Sequence, residues 1–111
     1  MDKPGSRGQL PRELMLKKAS DIREVLQSGK KSTGRYLNLF VVRNRPTRFA
    51  VLVPRRVGNA VQRNRMKRLV RELYRTRSAS FQNQLTIIFI KRFHDKYGDL
   101  ERDLQQLVAK K

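Results

Sequence analysis

Residues 56–72 read RVGNAVQRNRMKRLVRE, which has the pattern of one amphipathic helix. Asn59 is a good N-cap residue, and Gln62 three positions later completes a capping-box pattern. At about 100° per residue, one face of this helix collects four apolar side chains, those of Met66, Leu69, Val70 and Leu73. The spacing predicts a helix that begins after Asn59 and packs this apolar face against the rest of the fold.

The opposite face of this helix is strongly basic. Asn64 lies there with Lys67, Arg68, Arg71 and Arg75, and Arg63 and Arg65 lie on the two flanks. Almost no acid accompanies these cations, so like charges one turn apart repel each other. A polyanion such as RNA or DNA would relieve that repulsion, and clustered basic residues are typical of nucleic-acid-binding proteins. A solvated cationic surface without a partner is the alternative.

Short apolar segments lie on both sides of the basic helix. Residues 36–42 and 49–53 precede it and residues 85–90 follow it, and all three are rich in aromatic and β-branched side chains, which predicts strands. The segment 49–53 is continuously apolar, which predicts a central strand. Residues 43–47 contain Pro46 and predict a turn between the first two strands.

Two further helices are predicted near the ends of the chain. Residues 21–28 form the first, with Ser20 or Asp21 as its cap and Gly29 in the left-handed position that ends it. Asp99 caps the last, whose apolar stripe is Leu100, Leu104, Leu107 and Val108. With a basic connector at 30–35 that has room for a short strand, the order is α-β-β-(β)-α-β-α. This order predicts an α+β domain, an α/β sandwich in which helices cover a mixed central sheet.

Composition limits the class of protein. The 111 residues include 27 Lys and Arg against 9 Asp and Glu, a net charge of +18, and no cysteine. We expect a flexible basic segment at 1–13, rich in Gly, Pro and Arg, and a single RNA-binding domain at 14–111. The lack of cysteine excludes a disulfide scaffold or a thiolate metal site. Neither a signal peptide nor a long apolar span is present, which favours a cytoplasmic protein without a membrane partner.

Residues for protein-based catalysis are scarce. His94 is the single histidine, so a two-histidine metal site is impossible. Four acids lie close together, Asp95, Asp99, Glu101 and Asp103, but acids near a helix start also complement the helix dipole, and we favour that interpretation over a metal site. Phe40 and Tyr36, on nearby positions of one face, form either a stacking platform for bases or part of the core. We expect no catalytic or metal-binding residue.

The spacing within the basic helix resembles the signature of the protein subunit of bacterial ribonuclease P. The matching positions are Val57, Ala60, Arg63, Asn64, Arg65, Met66, Lys67, Arg68, Val70 and Arg71. The resemblance is looser but colinear over residues 11–109. It implies a left-handed crossover between the two strands that the basic helix joins, although most such connections are right-handed.

The resemblance implies an accessory protein of a ribonucleoprotein endonuclease. In that family the RNA subunit is the catalyst, and it uses Mg²⁺ to remove the 5′ leader of precursor tRNA. The implied partners are therefore the catalytic RNA and precursor tRNA, with no DNA and no cofactor held by the protein itself. A structural RNA-binding protein of the ribosomal type is the alternative, and a nuclease acting without RNA is a third and weaker one.

Two sets of site residues follow from the resemblance. The RNA-binding set is Arg63, Asn64, Arg65, Lys67, Arg68 and Arg71. The set for the 5′-leader cleft, between the first helix and the sheet, is Arg12, Lys17, Lys18, Ile22, Leu26 and Phe40. Many relatives carry aromatic rings where this chain has Ile22 and Leu26, so base stacking on the first helix would be weaker here.

Overall fold

The computed structural model describes residues 15–110, which form an α+β domain with three α-helices and a four-stranded mixed sheet. The predicted fold class is confirmed. The predicted flexible segment 1–13 lies outside the described residues. In chain order the elements are α1 (Ala19–Ser28), β1 (Lys30–Thr33), β2 (Leu37–Arg43), β3 (Arg48–Leu52), α2 (Ala60–Thr76), β4 (Gln84–Ile90) and α3 (Tyr97–Lys110).

The strands lie in the order β1-β2-β4-β3. β2 is antiparallel to β1 and to β4, whereas β3 is parallel to β4, and α2 connects those two strands. The prediction that segment 49–53 is central is wrong, because β3 lies at the edge. Its apolar run serves both faces of the sheet, and the backbone N–H of Leu16 donates to the carbonyl of Phe49 (2.7 Å) along its outer side. The left-handed crossover stays a prediction from the resemblance.

Each face of the sheet carries its own hydrophobic cluster, because successive side chains of a strand point to opposite faces. The larger cluster joins Leu37, Leu39 and Val41 of β2 to the buried faces of α2 and α3. The smaller one packs Val25 of α1 against the other face, which includes Leu85 and Ile87 of β4. α1 and α2 therefore lie on opposite faces of the sheet.

α1 ends at Ser28 as predicted, but its start and the conformation of the residue after it differ from the prediction. It starts at Ala19, and the preceding Lys18 makes no side-chain capping bond, so neither Ser20 nor Asp21 is the cap. Gly29 has extended backbone (φ −71°, ψ 154°) and is not left-handed. A Cβ on Gly29 would lie 2.4 Å from the carbonyl oxygen of Val25. Glycine is needed here because the chain passes against the helix end as it enters β1.

α3 also departs from its predicted start. It begins at Tyr97, so Asp99 lies in its first turn and is not the cap. The predicted apolar stripe is correct: Leu100, Leu104 and Leu107 are fully buried and Val108 packs against the same cluster. None of the helices in the described part of the chain combines the length and apolar character of a membrane span.

Candidate nucleic-acid interface

α2 is fixed in place at both its start and its buried face. Asn59 accepts a hydrogen bond from the backbone N–H of Gln62, whose side chain accepts one from the N–H of Asn59, so the predicted capping box is present. Met66, Val70 and Leu73 are fully buried as predicted, whereas Leu69 is half-buried. The fourth buried position is Tyr74, which the apolar pattern missed and whose ring lies between those of Phe49 and Phe81.

The predicted RNA-binding residues divide by exposure. Asn64, Arg65 and Arg68 are exposed, whereas Arg63, Lys67 and Arg71 are half-buried. Arg63 donates from Nη1 to the carbonyl of Gly58 (2.6 Å), which ties it to the loop before α2. The position of Arg71 corrects the helical-wheel assignment, because its Nε is buried and finds no hydrogen-bond partner among the described residues. Arg71 lies at the border between the two faces of α2.

The outward face of α2 has few acids to balance its cations. Arg65 lies 3.2 Å from the carboxylate of Asp95, and Arg75 pairs with Glu72. Among the described residues, Lys67 and Arg68 have no acidic partner. Because α2 is held by its apolar face, these two cations remain free for an external anion.

On the other face of the sheet, part of the second predicted set lies at the smaller hydrophobic cluster, which α1 covers. Ile22 and Phe40 are half-buried and pack against the same cluster, while Leu26 is exposed. The Lys31 ammonium lies 5.7 Å from the centre of the Phe40 ring, a cation–π contact that the sequence did not reveal because it depends on the β1–β2 register. Ile22 and Phe40 therefore belong to the same hydrophobic cluster.

The two lysines of the second set lie at the start of α1. Lys17 and Lys18 are exposed and line a pocket of about 360 Å³, together with Arg45 from the turn before β3 and Arg48, the first residue of β3. Arg45 is engaged there by Glu24. Arg12, the remaining member of the predicted set, lies outside the described residues. The pocket, which Asp21 also lines, and the neighbouring cluster together present apolar and charged surface on the α1 side of the sheet.

Tyr36 does not share the surface of Phe40, contrary to the prediction. It packs against the larger cluster, and its ring stacks on the imidazole of His94 with 4.0 Å between ring centres. The imidazole Nε2 lies 2.8 Å from a carboxylate oxygen of Asp99. This hydrogen bond, and secondarily the nearby cations, lower the pKa of Asp99 below its usual value.

Each of the four neighbouring acids has a partner within the protein. Asp95 pairs with Arg65, Asp99 with His94 and Arg102, and Glu101 with Arg77, and Asp103 accepts backbone N–H groups. In residues 15–110, no group of three or more histidine, cysteine or acidic side chains comes together in a way that could hold a metal ion. These four acids therefore make ion pairs and hydrogen bonds within the folded protein.

Comparison with known proteins assigns the family. The profile of the family described as Ribonuclease P matches residues 10–111. The chain belongs to the ribonuclease P protein family. It is similar to the ribonuclease P protein component of Clostridioides difficile, with 33% identity over 101 residues that cover 86% of this chain and 89% of the relative. The corresponding component of Alkaliphilus metalliredigens is 35% identical over 100 residues, covering 86% and 90%.

Solved structures of ribonuclease P proteins share the fold. The protein of Staphylococcus aureus gives a TM-score of 0.77 at 20% identity and covers 86% of this chain and 93% of its own length. That of Thermotoga maritima gives 0.76 at 20% identity and covers 87% and 96%. The predicted family is therefore confirmed, and with it a role as the protein component of the ribonucleoprotein endoribonuclease that processes tRNA. The roles of individual residues stay predictions.

Proposed function

We propose that this protein binds the catalytic RNA of ribonuclease P through α2 and the 5′ leader of precursor tRNA through the cleft beside α1. The RNA subunit, with Mg²⁺, performs the hydrolysis that generates the mature 5′ end. Both partners are RNA, and we expect the complex to act in the cytoplasm.

The outward face of α2 carries this proposal. Lys67 and Arg68 lack acidic partners among the described residues. Other side chains, those of Met66, Val70 and Leu73, form the buried face of the helix. Phosphate oxygens are suitable ligands, because guanidinium groups bind them through paired hydrogen bonds. The exposed amide of Asn64 lies beside them and can hydrogen-bond to a base or a ribose hydroxyl.

The leader cleft lies on the opposite face of the sheet from α2. A single-stranded RNA needs rings or apolar side chains for its bases and cations for its backbone. Phe40 and Ile22 supply the first, and Lys17, Lys18 and Lys31 supply the second. Placing the two sites on different faces allows the protein to contact the ribozyme and its substrate at the same time.

A Phe40→Ala substitution tests the leader cleft. The holoenzyme with this variant should bind precursor tRNA more weakly by up to about 3 kcal/mol, because a base loses its stacking partner. Its affinity for mature tRNA, which lacks the leader, should stay the same. Both affinities are measured with the assembled holoenzyme, alongside the thermal melt of the protein.

Tyr36→Ala provides a matched control, because it removes a half-buried ring that packs against the other cluster. This variant should leave the difference between precursor and mature tRNA unchanged. Equal losses of affinity for both RNAs in Phe40→Ala, with an unchanged melt, would contradict the leader cleft. Sequencing the RNA that co-purifies with the protein tests the binding of α2 to the catalytic RNA. Recovery of ribosomal RNA alone would contradict it.

A further inference from the structure

An acid from outside α2 lies at the flank of its basic face. The carboxylate of Asp95, in the segment between β4 and α3, lies 3.2 Å from the Nε atom of Arg65. Arg65 belongs to the RNA-binding set, and its neighbours Lys67 and Arg68 have no acidic partner among the described residues. A negative charge at this point opposes the approach of any phosphate to α2. Its presence beside a binding face for RNA therefore needs a reason.

Stability of the fold does not supply that reason. The side chains of Arg65 and Asp95 are 59% and 42% exposed. Ion pairs as exposed as this one change the folding equilibrium by about fivefold at most, because water and salt screen both charges. The effect of Asp95 is therefore expected in binding.

The segment that carries Asp95 is held on both sides. Phe93 and Tyr97, two residues before and after it, pack against the larger hydrophobic cluster. The backbone N–H of His94 donates to the sulfur of Met66 on α2 (3.4 Å). The carboxylate therefore has a defined place beside α2, and a fixed acid of this kind is suited to orient a flexible arginine.

The point of contact leaves Arg65 able to bind a second anion. A guanidinium group has five N–H donors, and the closest approach of Asp95 is to Nε. The Nη groups at the end of the fork suit a phosphate, which they bind through paired hydrogen bonds. An arginine without a partner loses much rotamer freedom when it binds, and holding it in place beforehand reduces that cost. The ion pair therefore favours one placement of a phosphate over the others.

We propose that Asp95 is a positioning residue that makes RNA binding by α2 selective. It holds Arg65 in the orientation that suits one phosphate of the catalytic RNA, and its own charge repels phosphates that arrive in other placements. Selectivity is a difference between two affinities, and a repulsive group increases it by weakening the wrong partner. This assignment rests on the proposed binding of the catalytic RNA by α2 and adds the residue that discriminates against other RNA.

The test compares the affinity of the protein for the catalytic RNA with its affinity for a fully paired RNA duplex, at one salt concentration. Asp95→Asn should bind the duplex up to about fivefold more tightly, because the repulsive charge is gone and Arg65 is free to follow any phosphate. Its affinity for the catalytic RNA should not rise, because the lost orientation of Arg65 offsets the lost repulsion. The ratio of the two affinities should therefore fall.

Two variants control for charge. Glu101→Gln removes a carboxylate that pairs with Arg77, so the net charge changes by the same amount as in Asp95→Asn. It should preserve the ratio of the two affinities, because this acid does not contact Arg65. Asp95→Glu keeps the negative charge and should retain most of the ratio. Thermal melts of all variants should stay close to that of the wild type.

A second comparison shows whether Asp95 acts through Arg65. In protein that already carries Arg65→Gln, no guanidinium is left at this position to orient. Adding Asp95→Asn should then tighten the binding of both RNAs by the same factor, and the ratio should not change further. A fall of the ratio as large as that in otherwise wild-type protein would contradict the proposed positioning.

An Asp95→Asn variant with the ratio of the wild type would also overturn this assignment, whatever its melting temperature. If Arg68→Ala still weakens binding of the catalytic RNA in that case, the proposed function stands and the role of Asp95 alone is refuted. A wild type that binds the duplex as tightly as the catalytic RNA, with no effect of Arg68→Ala on either, would refute both.

Discussion

At the scale of single residues, Asp103 shows how a buried charge holds two elements together. Its carboxylate accepts the backbone N–H groups of Arg35 (2.9 Å), Tyr36 (2.9 Å) and Leu37 (3.0 Å), and the residue is 6% exposed. A Cβ on Gly34 would lie 2.7 Å from both carboxylate oxygens. The loop between β1 and β2 therefore encloses the carboxylate of Asp103 from α3. Gly34, which has no Cβ, leaves room for that carboxylate.

Asp103→Asn should lower the free energy of unfolding by about 2 kcal/mol, because hydrogen bonds to a charged acceptor are lost and an NH₂ group faces N–H donors. Urea denaturation measures the change. Glu101→Gln is the control, since that carboxylate is partly exposed and pairs with Arg77 at the surface. Similar losses for the two variants would show that the loop does not depend on Asp103.

The Asp99 carboxylate predicts a pH dependence of stability. Its pKa is lowered in the folded protein, chiefly by the hydrogen bond to His94. A lowered pKa means that the ionised acid stabilises the fold above the usual aspartate pKa of about 3.9, and that this stabilisation is lost as the pH falls further. Asp99→Asn should therefore melt below the wild type at pH 7, with the gap closing below about pH 4. A gap that is constant over this range would contradict the linkage.

At the scale of elements, we expect one face of α2 to determine the stability of the protein and the opposite face to determine RNA binding. Leu73→Ala should lower the free energy of unfolding by about 2–5 kcal/mol, because Leu73 is fully buried. Arg68→Ala should leave the melt unchanged, weaken binding of the catalytic RNA, and reduce the slope of log K against log salt by about 1. Circular dichroism melts and salt titrations measure these effects. The opposite pattern, with Arg68→Ala unfolding the protein, would show that the faces are wrongly assigned.

The elements also show what the sequence could predict. The capping box of α2, its buried positions Met66, Val70 and Leu73, and the apolar stripe of α3 depend on residues a few positions apart, and all of them were predictable. The edge position of β3 was not, because strand order depends on pairing between distant segments. Similarly, the contact of Gly29 with α1 depends on where the chain turns. At the candidate site, the Phe40–Lys31 contact requires the strand register.

At the scale of the whole molecule, the charge distribution suits a protein that binds RNA without performing its chemistry. The net charge is +18, and the acids near α2 and α3 are held in pairs with arginine or by backbone groups. In residues 15–110, no group of three or more histidine, cysteine or acidic side chains lies together in a way that could hold a metal ion. Clustered cations of this kind bind the phosphate backbone of a nucleic acid, which agrees with the proposed binding of the catalytic RNA.

Purified protein freed of RNA should therefore not cleave precursor tRNA in the presence of Mg²⁺. Gel analysis of a radiolabelled precursor gives the measurement, with the reconstituted holoenzyme as the positive control. Within the holoenzyme, His94→Ala should leave the cleavage rate nearly unchanged, whereas losing a general base would reduce it about a hundredfold or more. Cleavage by rigorously RNA-free protein would refute the proposal that the RNA subunit performs the hydrolysis.

The central position of β4 has a consequence for synthesis of the chain. β4 is the last strand to leave the ribosome, yet it lies between β2 and β3. Until residue 90 emerges, β4 is not available to pair with β2 and β3. At that stage α2 has already been synthesised, but the sheet on which it packs is incomplete. Pairing between distant segments forms slowly, and unfinished chains expose apolar surface. A chain that ends before Gln84 lacks the strand that joins β2 to β3, so its sheet cannot form.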